Sequence, residues 1–381
     1  MAIQRVLQIL QDTDATDQNL AALELHKGLS QAGCEVRTLA LGPGRTGQLA
    51  QSVPVISPSH RSVAAYTQLR TEQRWADAMI LQGARAAQVA ALLPRTVPTA
   101  ISLWSEPANF QAGKRVSWRL AKSFRSGVQL VVHHRSAQEV VERMFDRHRS
   151  DSKAVAQDAA TTHSQPRRSG QLRQSGQPGQ PSGVHLIHTG IESLQQTASS
   201  GAVVSQDAAR RRAAKQALGL NPSAITIREL VPQAVAKSRT RSAFTVNLQQ
   251  AAITAGLSFI DGRSVPAVEE ELLLAGTDVV VDMSCADGPS VELLRAMQSG
   301  AVAITLDLPA ISDLIEDHVT GRTLPTDASL DSGLVAALGQ LVSSSGMLSE
   351  LAASGARRVE AEYALGDIQA RWLDCLGAGL A

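Results

Sequence analysis

Short apolar runs alternate with amphipathic stretches along most of the chain, and this alternation restricts the fold more than any other feature. "RVLQIL" (Arg5 to Leu10) runs into "NLAALELHKGLSQAG" and then "CEVRTLAL", which reads as strand, helix, strand. Leu20, Leu23, Leu25 and Leu29 give the helix an apolar side, and Gly33 supplies its stop. "DAMILQGARAAQVAALL", "TAISLW", "VQLVVHHRSAQEVVERM" and "GVHLIHTGIE" continue the series. Strands alternating with helices build a parallel sheet covered on both faces, so the first half is expected to be Rossmann-like.

The alternation stops between Asp146 and Gly183, a segment in which Gln, Ser, Gly, Pro and Arg dominate and no Phe, Trp or Tyr occurs. Such a segment cannot bury enough apolar surface to offset its ordering entropy, and a disordered insert at about 147–182 is expected inside the first domain. A helix, "DAARRRAAKQALGL", with Asp207 as its expected cap, opens a second series. It runs through "AITI", the poorly patterned "RELVPQAVAKSRTRSAF", "TVNLQQAAITAG", "LSFIDG", "VPAVEEELLLAG", "DVVVDMS", "AVAITLD" and "AISDLIEDHVTG" to long closing helices. The expected class is α/β, with two Rossmann-like domains facing across a cleft. Residues 1–195 form the first, residues 205–362 the second, and 363–381 a C-terminal helix that crosses back to the first. Ligands of such folds bind outside the carboxyl ends of the strands.

A chain of 381 residues with 44% hydrophobic content can supply two cores. Its net charge of +1 provides no general field for nucleic acid. Cys34, Cys285 and Cys375 are too scattered for a zinc ribbon or a disulfide framework, and a reducing cytoplasm is the expected location. No apolar run reaches the roughly 18–20 residues that span a bilayer. One segment, "GKRVSWRLAKSFRSG", sets Lys114, Arg115, Arg119, Lys122 and Arg125 around Val116, Leu120 and Phe124. Peripheral contact with the inner membrane face through 114–126 is one reading; an ordinary helix with a solvated basic face is the other.

The stretch "DVVVDMSCADGPSVELLRAMQSGAVAITLD" places a small-residue turn between an apolar strand and a helix. The free N–H groups at that helix start make a ready anion site. From "LSFIDG" to "HVTGRTLP" the sequence resembles the C-terminal half of family-4 type retaining glycosyltransferases of the GT-B fold. Asp287, Gly288, Leu293, Leu294, Ala296, Met297, Gly300 and Thr320-Gly321 carry the resemblance. The first βαβ and "VHLIHTGIE" echo the family more weakly. The resemblance implies transfer of a hexosyl group from a nucleotide-diphosphate sugar to a sugar, lipid or small-molecule acceptor, with retention. It implies no metal and no cofactor beyond the donor. It places Gly288, Pro289, Ser290, Leu294, Arg295, Arg228 and Lys237 at the donor, with Asp287 as the best catalytic candidate. Asp12, Thr13, Trp104 and His133 fall on the acceptor side.

Several positions depart from the family pattern. Arg295 stands where the family has the carboxylate that accepts hydrogen bonds from the donor's ribose, and a guanidinium offers donors only. Glu229 and Ala234 stand at the family's two phosphate-binding cations, with Arg228 and Lys237 out of register. The chain between "AITI" and "LSFIDG" is too short for the family's strand-helix-strand-helix. Asp12, Asp14 and Asp17 replace a glycine-rich first loop, and Trp104 or a neighbour replaces a histidine. A catalytically weak or inactive homologue serving as a binding or accessory subunit is therefore the alternative function, and an epimerase on the same fold is a third. The "DTD" at Asp12 to Asp14 matches a metal-binding D-x-D, but Asp17 as a helix cap explains the acidic loop as well. His133 and His134 end a strand on opposite faces, so one is free to touch a ligand while the other packs.

Overall fold

In the computed structural model the described residues are 3–45, 47–56, 63–83, 86, 96–104, 128–143, 184–192, 203–230, 239–261, 270–283, 288–327 and 330–377. The 147–182 insert, the basic 114–126 segment, Lys237, Ala234, Cys285 and Asp287 lie outside them.

Two parallel sheets flanked by helices make up the molecule. The first has strands β1 (Arg5–Leu10), β2 (Glu35–Ala40), β3 (Ala78–Gln82), β4 (Thr99–Leu103), β5 (Gln129–Val132) and β6 (Val184–Leu186) in the order β2-β1-β3-β4-β5-β6. Its central strands read as uninterrupted buried runs, as strands covered on both faces must. Helices α1 (Asp17–Gln31) and α2 (Val63–Trp75) belong to this half. The N-cap of α1 is Thr16, whose side chain accepts the Asn19 N–H; Asp17, the expected cap, is already the first helical residue.

Helix α3 (Val203–Ala217) leads into the second sheet. It starts a turn before Asp207, so Asp207 lies inside the helix and is not its cap. Strands β7 (Thr226–Leu230), β8 (Ser258–Asp261), β9 (Val279–Asp282), β10 (Val302–Leu306) and β11 (Arg322–Leu324) follow the order β11-β10-β9-β7-β8. Between β7 and β8 the described chain holds a single helix, α4 (Arg239–Thr254). The helices α5 (Glu270–Gly276) and α6 (Val291–Gln298) flank β9. β7 continues through Arg228, Glu229 and Leu230, which the sequence pattern left in an irregular stretch. Pairing with β8 and β9 on both sides extends it there: Arg228 is opposite Ile260 and Val280, and Glu229 opposite Asp261 and Val281. Both charged side chains are buried as a result, which hides the strand from a hydrophobicity reading.

The chain closes with α7 (Leu330–Ser343), α8 (Ser345–Glu362) and α9 (Leu365–Gly377). Ile368, Trp372, Cys375 and Leu376 of α9 join Val6, Leu25, Leu29 and Ile80 in one apolar cluster, so α9 packs on the first sheet's side of the molecule. Among the described residues no single helix is long and apolar enough to cross a membrane. The bent pair α7 and α8 passes on composition together, but Leu334, Leu338 and Leu341 are buried against the second sheet.

Candidate functional site

Each sheet reverses its strand order at one point, between β1 and β3 in the first and between β7 and β9 in the second. Chain segments leaving adjacent strands in opposite directions open a crevice there, so the carboxyl ends of these strands are where a ligand is expected. The loop after β9 leads into α6, and its geometry follows from two residues. Ser290 is the N-cap, with φ −71° and ψ 154°, and its Oγ accepts the Leu293 N–H at 3.0 Å. The Ser290 hydroxyl donates to Asp282 Oδ2 at 3.1 Å, and Asp282 is fully buried at the end of β9. Ser290→Ala is expected to cost about 1 kcal/mol through the lost cap, measured as a shift in the chemical-denaturation midpoint.

This cap occupies the Ser290 side chain within the fold. The side chain of Leu294, a residue expected at the donor, is fully buried in the apolar cluster with Val280, Leu293 and Met297. A 3.6-residue period turns Leu294 toward the sheet and leaves Arg295 on the outer side. Pro289 is buried and Gly288 partly exposed. Gly288 has φ +115°, a region that L side chains avoid, and a Cβ there would sit 3.7 Å from His134 Cδ2. Arg228 is 6% exposed, and its Nε and Nη1 have no hydrogen-bond partner among the described residues.

On the first sheet, three of the four acceptor-side candidates are interior. Thr13 is fully buried and donates its hydroxyl to the Pro43 carbonyl. Asp12 Oδ1 accepts the Asp14 N–H at 3.1 Å and Asn19 Nδ2 at 3.1 Å. Asp14 in turn accepts the N–H groups of Arg45 and Gly47 at 2.9 and 3.0 Å. The acidic loop is therefore tied to Arg45 and Gly47 through the Asp14 carboxylate, and to α1 through that of Asp12. Among the described residues no group of three His, Cys, Asp or Glu side chains is arranged to hold a metal.

Trp104 and His133 form a buried polar chain. Trp104 Nε1–H donates to Ser102 Oγ at 3.0 Å, and the Ser102 hydroxyl lies 2.7 Å from His133 Nε2. His133 Nδ1 is 2.8 Å from the Ile187 carbonyl. A carbonyl only accepts, so Nδ1 carries the proton and Nε2 accepts from Ser102. The Trp104 and His133 rings stack with centroids 4.1 Å apart. Desolvation pushes the His133 imidazole down to about 3, against the Ile187 carbonyl, which favours the charged form. Both rings, which the resemblance places on the acceptor side, are bonded within the chain.

The neighbouring His134 takes the position the pair left open. Its Nδ1 accepts the Ala137 N–H at 3.1 Å, so in the neutral ring the proton sits on Nε2, on the edge nearest Gly288. Burial lowers its pKa and the Asp313 carboxylate opposes that. Asp313 also accepts the Arg135 N–H at 2.6 Å across the two halves. Nearby, His188 donates through Nδ1 to the His133 carbonyl at 3.0 Å and its ring lies 4.8 Å from that of Tyr363. Adjacent strand-end residues point oppositely, so the sequence offered both histidines; only the placement of the second half selects His134.

Arg295 completes the junction. Its Nη2 lies 2.8 Å from Glu24 Oε1 of α1, a carboxylate only 5% exposed. Glu24 escaped the sequence reading, although its position among Ala21, Leu25 and Gly28 on the buried side of α1 marks it as a carboxylate in need of a cation. Around this pair Ala21, Trp104 and Ile191 of the first half share a cluster with Val291 and Leu294 of the second.

The sequence matches no protein-family model and no curated protein. Solved structures do match over essentially the full chain. Anabaena Alr3699/HepE in complex with UDP-glucose is 11% identical with a TM-score of 0.66, covering 98% of this chain and 99% of that one. Sucrose-phosphate synthase from Thermosynechococcus elongatus is 12% identical with a TM-score of 0.59, covering 97% of each. A glycosyltransferase from Rickettsia africae is 9% identical with a TM-score of 0.60, covering 99% and 98%. The likeness establishes the architecture: a GT-B-like fold of two Rossmann-like domains.

Proposed function

We propose that this protein transfers a hexosyl group, with retention, from a nucleotide-diphosphate sugar to an acceptor. The observation that carries the reading is the capped start of α6 at the switch point of the second sheet, facing His134 of the first. Backbone N–H groups at such a start suit the developing charge of a diphosphate leaving group. The neutral His134 Nε2–H adds one hydrogen-bond donor from the opposite side. The full-length likeness to a protein crystallised with UDP-glucose supports the same donor class. In this reading Asp287 and Gly288 hold the donor sugar, Arg228 and Lys237 serve the phosphates, and Asp12 borders the acceptor. The donor is the substrate, with no cofactor, and the protein works in the cytoplasm.

Calorimetry with UDP-, GDP- and ADP-sugars, followed by an assay for slow donor hydrolysis, tests the proposal. Binding of one donor with hydrolysis is expected, with both lost in Asp287→Ala and activity falling about a hundredfold in His134→Ala. Failure of every donor to bind at millimolar concentration rejects the transferase. One observation favours a second reading, an inactive homologue acting as an accessory subunit: the α6 position that the family resemblance gives to a ribose-binding carboxylate is a cation engaged with Glu24. Binding without turnover would select that reading.

A further inference from the structure

We propose that Asp313 is a positioning residue: from the second half it fixes, through the Arg135 amide, the turn that presents His134 to the donor, an inference that rests on the transferase reading of His134. Asp313 sits in the turn after β10, where the N–H groups of Leu314 and Ile315 both close on the Ile311 carbonyl at 2.9 Å. Ile311, Leu314 and Ile315 are buried in the same apolar cluster as Val291 and Leu294 of α6. Packing therefore ties Asp313 to the helix start proposed to meet the diphosphate.

On the first half, residues 135–143 are helical and His134 stands immediately before them. The first N–H groups of a helix find no carbonyl within it, so their partners come from elsewhere. His134 Nδ1 accepts one of them, from Ala137 at 3.1 Å, and lies 2.7 Å from the Ser136 hydroxyl. The Arg135 N–H has its partner 178 residues away, Asp313 Oδ2 at 2.6 Å. A carboxylate suits a helix start through its charge as well as through the bond. Two anchors on one turn thus orient the His134 ring, with Nδ1 toward the helix and the Cδ2–Nε2 edge toward Gly288. Asp313 sets no bare charge against a diphosphate, because the helix start and Arg135, whose Nε lies 3.8 Å from Oδ1, meet it. Burial lowers the His134 pKa most, His188 adds to the lowering, and the Asp313 carboxylate opposes both. The same contact that orients the ring therefore also favours its charged form as leaving-group charge develops.

Donor hydrolysis by single and double variants of the full chain tests the positioning role. Asp313→Ala is expected to lower kcat about tenfold with little change in KM. Asp313→Asn, which keeps an acceptor for the Arg135 N–H, should recover most of that loss. Because Asp313 acts through His134, adding Asp313→Ala to His134→Ala should cost nothing further. A further loss of about tenfold in the double variant would show a structural role alone and overturn the proposal. Should Asp313→Ala not fold, Arg135→Pro removes the same hydrogen bond from its other side, at a first helical position that proline suits. The same fall in kcat is expected there, and an undiminished kcat in folded Arg135→Pro overturns the proposal. Nitrogen-15 NMR of the histidine rings, recorded without donor, keeps this outcome apart from the transferase reading. His134 is expected as the Nε2–H tautomer in the unsubstituted protein and as a mixture of tautomers in Asp313→Ala. An unchanged His134 signal overturns the positioning role whether or not any donor binds.

Discussion

Asp278→Ala is expected to destabilise the second domain by about 3–5 kcal/mol, the cost of leaving a buried charge without its partner. Asp278 immediately precedes β9 and is 8% exposed. Its Oδ2 accepts the Lys215 ammonium and, at 2.8 Å, the Thr226 N–H that starts β7. Its Oδ1 lies 3.2 Å from Arg211, which also donates to the carbonyls of Thr277, Ser299 and Gly300. One carboxylate therefore ties α3 to the beginnings of β7 and β9 and to the turn before β10. Among the described residues Lys215, 5% exposed, would keep the Ala224 carbonyl at 2.7 Å. Arg211 would keep its three carbonyls, so most of the penalty falls on the lysine. Hydrogen exchange of the β7 and β9 amides reports the loss directly. Adding Lys215→Met to Asp278→Ala should recover a large part of it, because the stranded charge is then gone. A loss below about 1 kcal/mol in the single variant would show that water reaches Lys215 freely.

Acidification should weaken the protein through His133 before its carboxylates matter. The folded imidazole sits at about 3, below the usual 6.5, because burial disfavours the cation. A depressed folded value means that the contribution is complete above pH 6.5 and is lost as the pH falls toward 3. Between pH 7 and pH 5 the linkage amounts to about 2 kcal/mol. His26, His134 and His185 are lowered by burial too and act in the same direction. His133→Phe keeps the ring stacked on Trp104 and removes the titrating nitrogen. It is expected to be less stable at pH 7, where Ser102 loses its acceptor, but to lose about 2 kcal/mol less on going to pH 5. Urea unfolding at the two pH values measures the difference. An equal drop in both proteins would place the proton uptake elsewhere.

The strand–helix alternation needed only local pattern to be read. β1, α1 and β2 follow from the spacing of Leu20, Leu25 and Leu29 and from the stop at Gly33, because burial on one face of a helix repeats every three to four residues. The start of α6 after the small-residue turn was equally legible, and the structure adds that Ser290 caps it through a backbone N–H three residues away. β7 was half hidden because Arg228 and Glu229 break its apolar run; only its two neighbouring strands draw it out. Leu294, Trp104 and His133 were singled out by the family resemblance, and the burial of their side chains comes from packing that no local pattern displays.

The sequence by itself determined the α/β class, the two strand–helix series and the helix that follows the turn at Ser290, all of which are read from patterns spanning a few residues. Tertiary structure decided what Arg295 does, because its partner Glu24 lies 271 residues away and is brought to it only when α1 packs against α6. It also decided which of two adjacent histidines faces the junction. Charge and burial are properties of surroundings, and for these residues the surroundings come from the other end of the chain.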